Sequence, residues 1–216
     1  MSANIVQFTI LLLATLGVTP SESSGDLAQG LKTAVTKKSS CDITSTTTNP
    51  DLLLDRNRSE GDTSLHMAAQ YGLIDQVNEL LRCGADLRAK NNAGVTPLMM
   101  SSLRGHSDVV KLLADRGALI NNKAKDGYTA LHYAVLGGHI SVVKLLLDLG
   151  ADLAAKSNFG RTPLMYASAF NHLDIVKILI DQGAPVNDSD MVGMTPLAYA
   201  SKEDIINYLK SKGGIK

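Results

Sequence analysis

The stretch GYTALHYAVLGGH, residues 127–139, decides the fold because close copies of it recur along the chain. The matching segments read GDTSLHMAA at 61–69, GVTPLMMSS at 94–102, GRTPLMYAS at 160–168 and GMTPLAYAS at 193–201. Their first glycines are spaced by 33 residues. A fixed period of this length is typical of stacked repeat arrays, in which each unit buries its apolar face against its neighbours.

Each repeat carries the signals of two short helices. A threonine occupies the N-cap position of the first helix, followed in three repeats by a proline at the first helical position. Valines and leucines three residues apart then predict one buried stripe on the second helix. A glycine ends that helix, as left-handed C-caps do. The residues carrying these signals are Thr63, Thr96, Thr129, Thr162 and Thr195; Pro97, Pro163 and Pro196; Val77, Val110, Val143 and Val176; Leu80, Leu113, Leu146 and Leu179; and Gly84, Gly117, Gly150 and Gly183.

This pattern resembles the ankyrin repeat. The T-P-L-H-x-A signature, the Gly-His break between helices and the G-A-D ending all match, at the family's period. The resemblance implies an all-α solenoid of antiparallel helix pairs joined by β-hairpin loops. We place the repeats at 61–93, 94–126, 127–159, 160–192 and 193–216. The last is shortened between its helices, and Lys210 on its apolar stripe indicates a cap that faces water.

The N-terminal 60 residues follow a different pattern. Residues 5–18, IVQFTILLLATLGV, resemble the apolar region of a secretory signal peptide, with small residues near Gly17. Since the usual Lys or Arg is missing before this run, the alternative is that residues 1–23 form an uncleaved N-terminal extension. Residues 24–60 are predicted to be a Ser/Thr-rich linker with a degenerate N-terminal cap.

Composition excludes several classes of function. The formal net charge is zero and tryptophan is absent, so we expect no nucleic-acid partner. The apolar run is too short for a comfortable membrane span. Two cysteines, Cys41 and Cys83, cannot form a disulfide framework or a cysteine-based zinc site, and two free thiols are favoured over one bridge.

The histidines all keep the repeat register. His66 and His132 share one position, three residues after a threonine, where a capping box places a side chain that bonds back to the N-cap. Repeats with proline lack this histidine, so the two are interpreted as interchangeable ways to start the helix. The other three, His106, His139 and His172, share the turn between helices. We therefore expect structural roles for these residues, and no metal, cofactor or catalytic site.

The resemblance implies that hairpin tips and the ends of the inner helices line a concave binding face. We predict a protein-binding surface weighted towards the third to fifth repeats, with Leu103 and Leu136 nearby. Its residues are Tyr71, Arg104, Tyr128, Phe159, Arg161, Phe170, Met191 and Met194. Large aromatic, Met and Arg side chains are enriched in interfaces. Tyr133, Tyr166 and Tyr199 recur every repeat and are interpreted as packing residues.

Two functions remain open at this point. The first is a non-catalytic, monomeric interaction module or scaffold, cytoplasmic or nuclear. The alternative is a secreted effector or toxin-like protein that acts on another cell's proteins, reached through the secretory pathway if Met1–Gly17 is a signal peptide. The glycosylation triplets at Asn57 and Asn187 support secretion weakly.

Overall fold

The computed structural model describes residues 61–215, and the predicted N-terminal segment, linker and cap lie outside the described residues. Ten helices follow one another in five pairs within this range. In chain order they are α1 (Ser64–Gln70), α2 (Ile74–Arg82), α3 (Pro97–Arg104), α4 (Ser107–Asp115), α5 (Ala130–Leu136), α6 (Ile140–Asp148), α7 (Pro163–Ala169), α8 (Leu173–Asp181), α9 (Pro196–Tyr199) and α10 (Glu203–Ser211).

Two rows of helices build the array. Each odd-numbered helix packs against its own even-numbered partner and against the odd-numbered helices of adjacent repeats, and the even-numbered helices pack in a second row. We call the first row the inner helices and the second the outer helices. This stacking of helix pairs without strands across residues 61–215 confirms the predicted all-α solenoid.

The core lies between the two rows, where the repeated apolar positions meet. Val77, Val110, Val143 and Val176 are fully buried, and so are the leucines three residues later in the second to fourth repeats. Burying such a side chain contributes about 1.5–3 kcal/mol. The predicted stripe is therefore confirmed as the packing surface that joins successive repeats.

The predicted helix boundaries are confirmed by their caps. The hydroxyl oxygen of Thr63, Thr96 and Thr162 accepts the backbone N–H three residues later. Each outer helix of the first four repeats is followed by a glycine with positive φ, for example 84° at Gly84. The N–H of Ala85 then bonds to the carbonyl of Leu80, which satisfies an end carbonyl of α2.

Four hairpin-shaped loops connect the repeats, each closed by one backbone hydrogen bond. The donors and acceptors are Asn91 and Val95, Ala124 and Tyr128, Ser157 and Arg161, and Asp190 and Met194, at 2.9–3.1 Å. We call these loops hairpins 1 to 4, and we call the two residues before the glycine of each loop its tip. The loops are too short for regular strands.

The fifth repeat closes differently from the others. Helix α9 has four residues, and Ala200 leaves it in an extended conformation, because the repeat lacks part of the inter-helix segment. Lys210 on α10 is exposed, as its place on the stripe predicted. The chain then turns back, and the residues Gly213–Ile215 bond to Asn187 and Thr195 at the base of hairpin 4.

Cys83 is disulfide-bonded, so the expectation of two free thiols is wrong. Cys83 lies at the C-cap of α2. The chain's other cysteine, Cys41, lies outside the described residues. A bridge is a long-range constraint that a count of two cysteines cannot decide.

Candidate functional site

The buried histidines His66 and His132 join neighbouring repeats. In each, Nδ1 accepts the backbone N–H of the N-cap threonine, Thr63 or Thr129, at 3.2 Å. The opposite nitrogen, Nε2, donates to a carbonyl of the next hairpin: Val95 at 2.9 Å for His66 and Arg161 at 3.2 Å for His132. This confirms the predicted bond to the cap and adds an inter-repeat contact.

Burial lowers the pKa of His132 to about 4. The ring is therefore neutral at pH 7, with its proton on Nε2, because Nδ1 must accept from Thr129. A neutral imidazole with both nitrogens bonded to the chain has no lone pair left for a metal or a substrate. The role of His132 is structural.

Methionine replaces histidine in the repeats that carry proline and a full inner helix. The Sδ atoms of Met99 and Met165 lie 3.4 Å from the backbone nitrogens of Thr96 and Thr162. Sulfur is a weak acceptor, and neither side chain has a donor for the next hairpin. The interpretation that proline and histidine are interchangeable is therefore incomplete, because the methionine takes the capping position.

The histidines between helices also make contacts across repeats. Nε2 of His106 lies 2.9 Å from the carbonyl oxygen of Gln70, and Nε2 of His139 lies 2.9 Å from that of Leu103. A Cβ at Gly72 would lie 2.5 Å from the His106 ring, so this ring fits against a glycine of the preceding repeat. These contacts support the predicted structural role of the turn histidines.

The hairpins form a continuous row through backbone bonds between neighbours. The N–H of Lys125 donates to Ala93, that of Asn158 to Asp126 and that of Met191 to Phe159, at 2.9–3.1 Å. Lysine side chains follow the same direction: Lys90 and Lys123 donate to the carbonyls of Lys123 and Lys156. The row therefore presents the tips side by side on one continuous surface.

The tips change from polar to apolar along the row. Hairpins 1 and 2 present Asn92 with Ala93, and Lys125 with Asp126. Hairpin 3 presents Asn158 with Phe159, and hairpin 4 presents Met191 with Val192. Phe159 is 44% exposed, Met191 75% and Val192 77%. These three side chains form an apolar patch at one end of the row, which we call the tip patch.

The expectation that Tyr128 is exposed for a partner is wrong. Its side chain is 2% exposed. The ring stacks on His132 at 5.4 Å, and the hydroxyl lies 2.6 Å from that of Tyr166. Burial also raises the pKa of Tyr128. Tyr128 therefore stabilises the contact between the third and fourth repeats.

Arg161 is half-buried and bound within the protein. Its Nε lies 3.5 Å from Asp190 Oδ2, and the guanidinium carbon lies 5.3 Å from the centre of the Tyr199 ring and 5.6 Å from that of Phe159. The hydroxyl of Tyr199 donates to the same Asp190 carboxylate. Arg161 thus supports the ring of Phe159 from below, so its contribution to a binding surface is indirect.

The other predicted binding residues are less exposed than the tip patch. Tyr71, Arg104, Phe170 and Met194 are half-buried, and Leu136 is half-buried while Leu103 is buried. Phe170 packs against the core and stacks on His172, so the expectation that the repeat does not use it for packing is wrong. Tyr133, Tyr166 and Tyr199 are buried, which confirms their packing role.

Two exposed apolar residues were missed. Val192 occupies the register position of Phe159, and that register was the signal that would have found it. Ile215 is 61% exposed and is brought to hairpin 4 by the C-terminal tail. Its position depends on tertiary contacts, so no local pattern predicts it.

The paired helices, the hairpin row and the exposed tips define a helical-repeat solenoid with a binding surface. A family model for ankyrin repeats, built of three copies, matches residues 65–157 and 152–216. The chain belongs to the ankyrin-repeat family. Repeats of this family are generally non-catalytic protein–protein interaction modules. A search of curated proteins finds no match.

Within residues 61–215, no helix is long and apolar enough to cross a membrane. The same residues contain no group of three or more His, Cys, Asp or Glu side chains placed to hold a metal ion. The tip patch is therefore the feature of the described chain with the clearest potential to bind another molecule.

Proposed function

We propose that this protein is a non-catalytic interaction module that binds a partner protein through the tip patch and the adjoining inner-helix ends. The observation that carries the proposal is the exposure of Phe159, Met191 and Val192 on neighbouring hairpins. The contact of Met191 N–H with the Phe159 carbonyl fixes the two tips side by side. Contiguous exposed apolar surface of this kind marks interaction sites more often than single scattered residues do.

The rigidity of the hairpins supports the same proposal. Asp190 accepts the N–H groups of Val192 and Met194, and Ser157 Oγ accepts those of Phe159 and Arg161. Buried or half-buried bonds at the base thus hold each tip in one conformation. A preorganised tip loses little conformational entropy when a partner binds, which favours affinity.

Photo-crosslinking tests where the partner binds. A photoreactive phenylalanine analogue is placed at Phe159, at Val192 and, as a matched control, at Leu119, which is 48% exposed on a loop outside the hairpin tips. Illumination in a native lysate is expected to give the same adduct mass from Phe159 and Val192 and none from Leu119. Adducts of equal yield from Leu119, or none from the two tips, would refute the proposed surface.

A secreted protein that acts on another cell's proteins remains a second candidate. The observation that favours it is the disulfide at Cys83, because such bonds persist mainly in oxidising compartments. The sequon at Asn187 adds little, since its Nδ2 already donates to the carbonyl of Gly213 at 3.0 Å.

The state of the natural protein distinguishes the two candidates. Protein isolated from its own cells under alkylating, non-reducing conditions is analysed by mass spectrometry of the N-terminus and of the cysteine peptides. The secreted candidate predicts loss of the first residues and an unalkylated Cys83. An intact Met1 or Ser2 together with an alkylated Cys83 would refute it.

A further inference from the structure

The hairpins are joined by a ladder of one backbone bond per neighbouring pair. The carbonyl of the second tip residue accepts in each case: Ala93, Asp126 and Phe159 from the next hairpin's N–H. The glycine that follows each tip is close to the next hairpin as well. A Cβ at Gly127 would lie 2.6 Å from the backbone nitrogen of Asn158. Each hairpin is thus the docking surface for its successor.

The ladder is open at hairpin 4. Val192 holds the accepting position, and no donor among residues 61–215 bonds to its carbonyl. Gly193 has no described atom within 4 Å of a Cβ built on it, unlike the tip glycines before it. Met191 and Val192, the most exposed large apolar side chains in the described range, flank this carbonyl.

The same tip has no backbone donor left. Asp190 accepts the N–H groups of Val192, Gly193 and Met194 through its side chain and its carbonyl, and Met191 donates to Phe159. The edge therefore presents an acceptor and apolar surface. A second copy of this chain cannot pair with it through the same edge, because both edges would present acceptors.

The base of hairpin 4 already binds an extended segment. In the C-terminal tail, Gly213 accepts from Asn187 Nδ2 at 3.0 Å, and the Ile215 N–H donates to Asn187 Oδ1 at 2.9 Å. Thr195 donates to the Ile215 carbonyl. The tail covers the base, leaves the tip uncovered and adds the exposed Ile215 beside it.

We propose that the Val192 carbonyl, with the side chains of Met191, Val192 and Ile215, is a binding site for an extended segment of a partner protein. The segment donates one backbone N–H to Val192 and places an apolar side chain against the tip, which continues the ladder by one step. This inference rests on the proposed function, because it specifies how the partner is recognised at one end of the tip patch.

A peptide taken from the chain itself tests the site. In residues 154–162 the Asn158 N–H makes the corresponding bond to Asp126, so a cyclised synthetic peptide of this segment is the probe. Its control carries an N-methyl group on Asn158 and cannot donate. Binding to the full chain is followed by amide chemical shifts. We expect saturable shifts at Met191–Gly193 and Ile215, and about fivefold weaker binding of the control, as for one lost hydrogen bond.

Variants and concentration complete the design. Met191→Ser/Val192→Ser should abolish the shifts, and Leu119→Ser should leave them unchanged. Equal affinity of the two peptides, the absence of saturable shifts, or concentration-dependent shifts at Met191–Gly193 without peptide would overturn the inference. Since crosslinks from Phe159 do not depend on this bond, failure here is distinguishable from failure of the proposed function.

Discussion

Asp190 and Val192 lie two residues apart on hairpin 4, yet they have opposite environments. Asp190 is buried, and its carboxylate accepts bonds from Val192, Met194, Tyr199 and Arg161. Val192 is among the most exposed apolar residues of the described chain. The comparison teaches that the base determines the shape of the hairpin. The tip side chains are then available for binding, because the loop does not depend on them.

The largest effect is expected at the base. Asp190→Ala should lower the free energy of unfolding by about 3 kcal/mol, because several donors lose their buried acceptor. Urea denaturation measures the loss. Asp188→Ala is the matched control: its carboxylate lies 3.4 Å from Lys156 in a partly exposed pair, worth less than about 1 kcal/mol. Equal losses in the two variants would contradict the role assigned to the base.

Acid should weaken the base of hairpin 3. The folded pKa of His132, about 4, lies below the ordinary value of 6.5, so between these values the unfolded chain binds a proton that the folded chain does not. Stability is therefore lost as the pH falls through this window, by about 2 kcal/mol between pH 7 and pH 5.

Replacing His132 isolates this contribution. His132→Met uses the residue that the chain itself has at Met99 and Met165. Urea denaturation at pH 7 and pH 5 should show a smaller pH dependence for the variant than for the unsubstituted chain. The same dependence in both proteins would show that His132 does not carry the effect.

Two tyrosines sharpen the comparison further. Tyr199 donates to Asp190, and burial together with this bond raises its pKa to about 12. The hydroxyl of Tyr133 is buried with no partner in the described chain, since Ala124 occupies the register position of Asp190. Tyr199→Phe should cost about 1 kcal/mol, and Tyr133→Phe should cost nothing. A larger loss in thermal unfolding for Tyr133→Phe would contradict this assignment.

The smallest effect on stability is expected at the tip. Met191→Ser/Val192→Ser should change the free energy of unfolding by less than about 0.5 kcal/mol, because neither side chain is buried. Thermal unfolding beside Asp190→Ala provides the comparison. A loss as large as that of Asp190→Ala would mean that the tip also holds the hairpin together.

Sequence was sufficient for the parts of this fold that repeat. The threonine caps, the valine and leucine stripe and the final glycines are local signals, and their period multiplies each of them. The capping role of His132 was predictable for the same reason, because Thr129 lies three residues before it. Its bond to Arg161 was not, because that carbonyl belongs to the next repeat.

The candidate site was predicted in part. Phe159 and Met191 follow from the tip register, and both are exposed. Tyr128 occupies a position with a different residue in each repeat, and variability suggested exposure. Its burial depends on Tyr166, 38 residues later in the chain, and a contact of that kind is tertiary. Variation between repeats therefore marks both binding residues and local packing solutions.

The central claim is that the tips bind and the bases support them. The most direct test is the equilibrium affinity of the crosslinked partner for the unsubstituted chain and for Met191→Ser/Val192→Ser, with thermal unfolding measured on the same samples. We predict at least about tenfold weaker binding with unchanged unfolding. Undiminished affinity in a folded variant would contradict the claim.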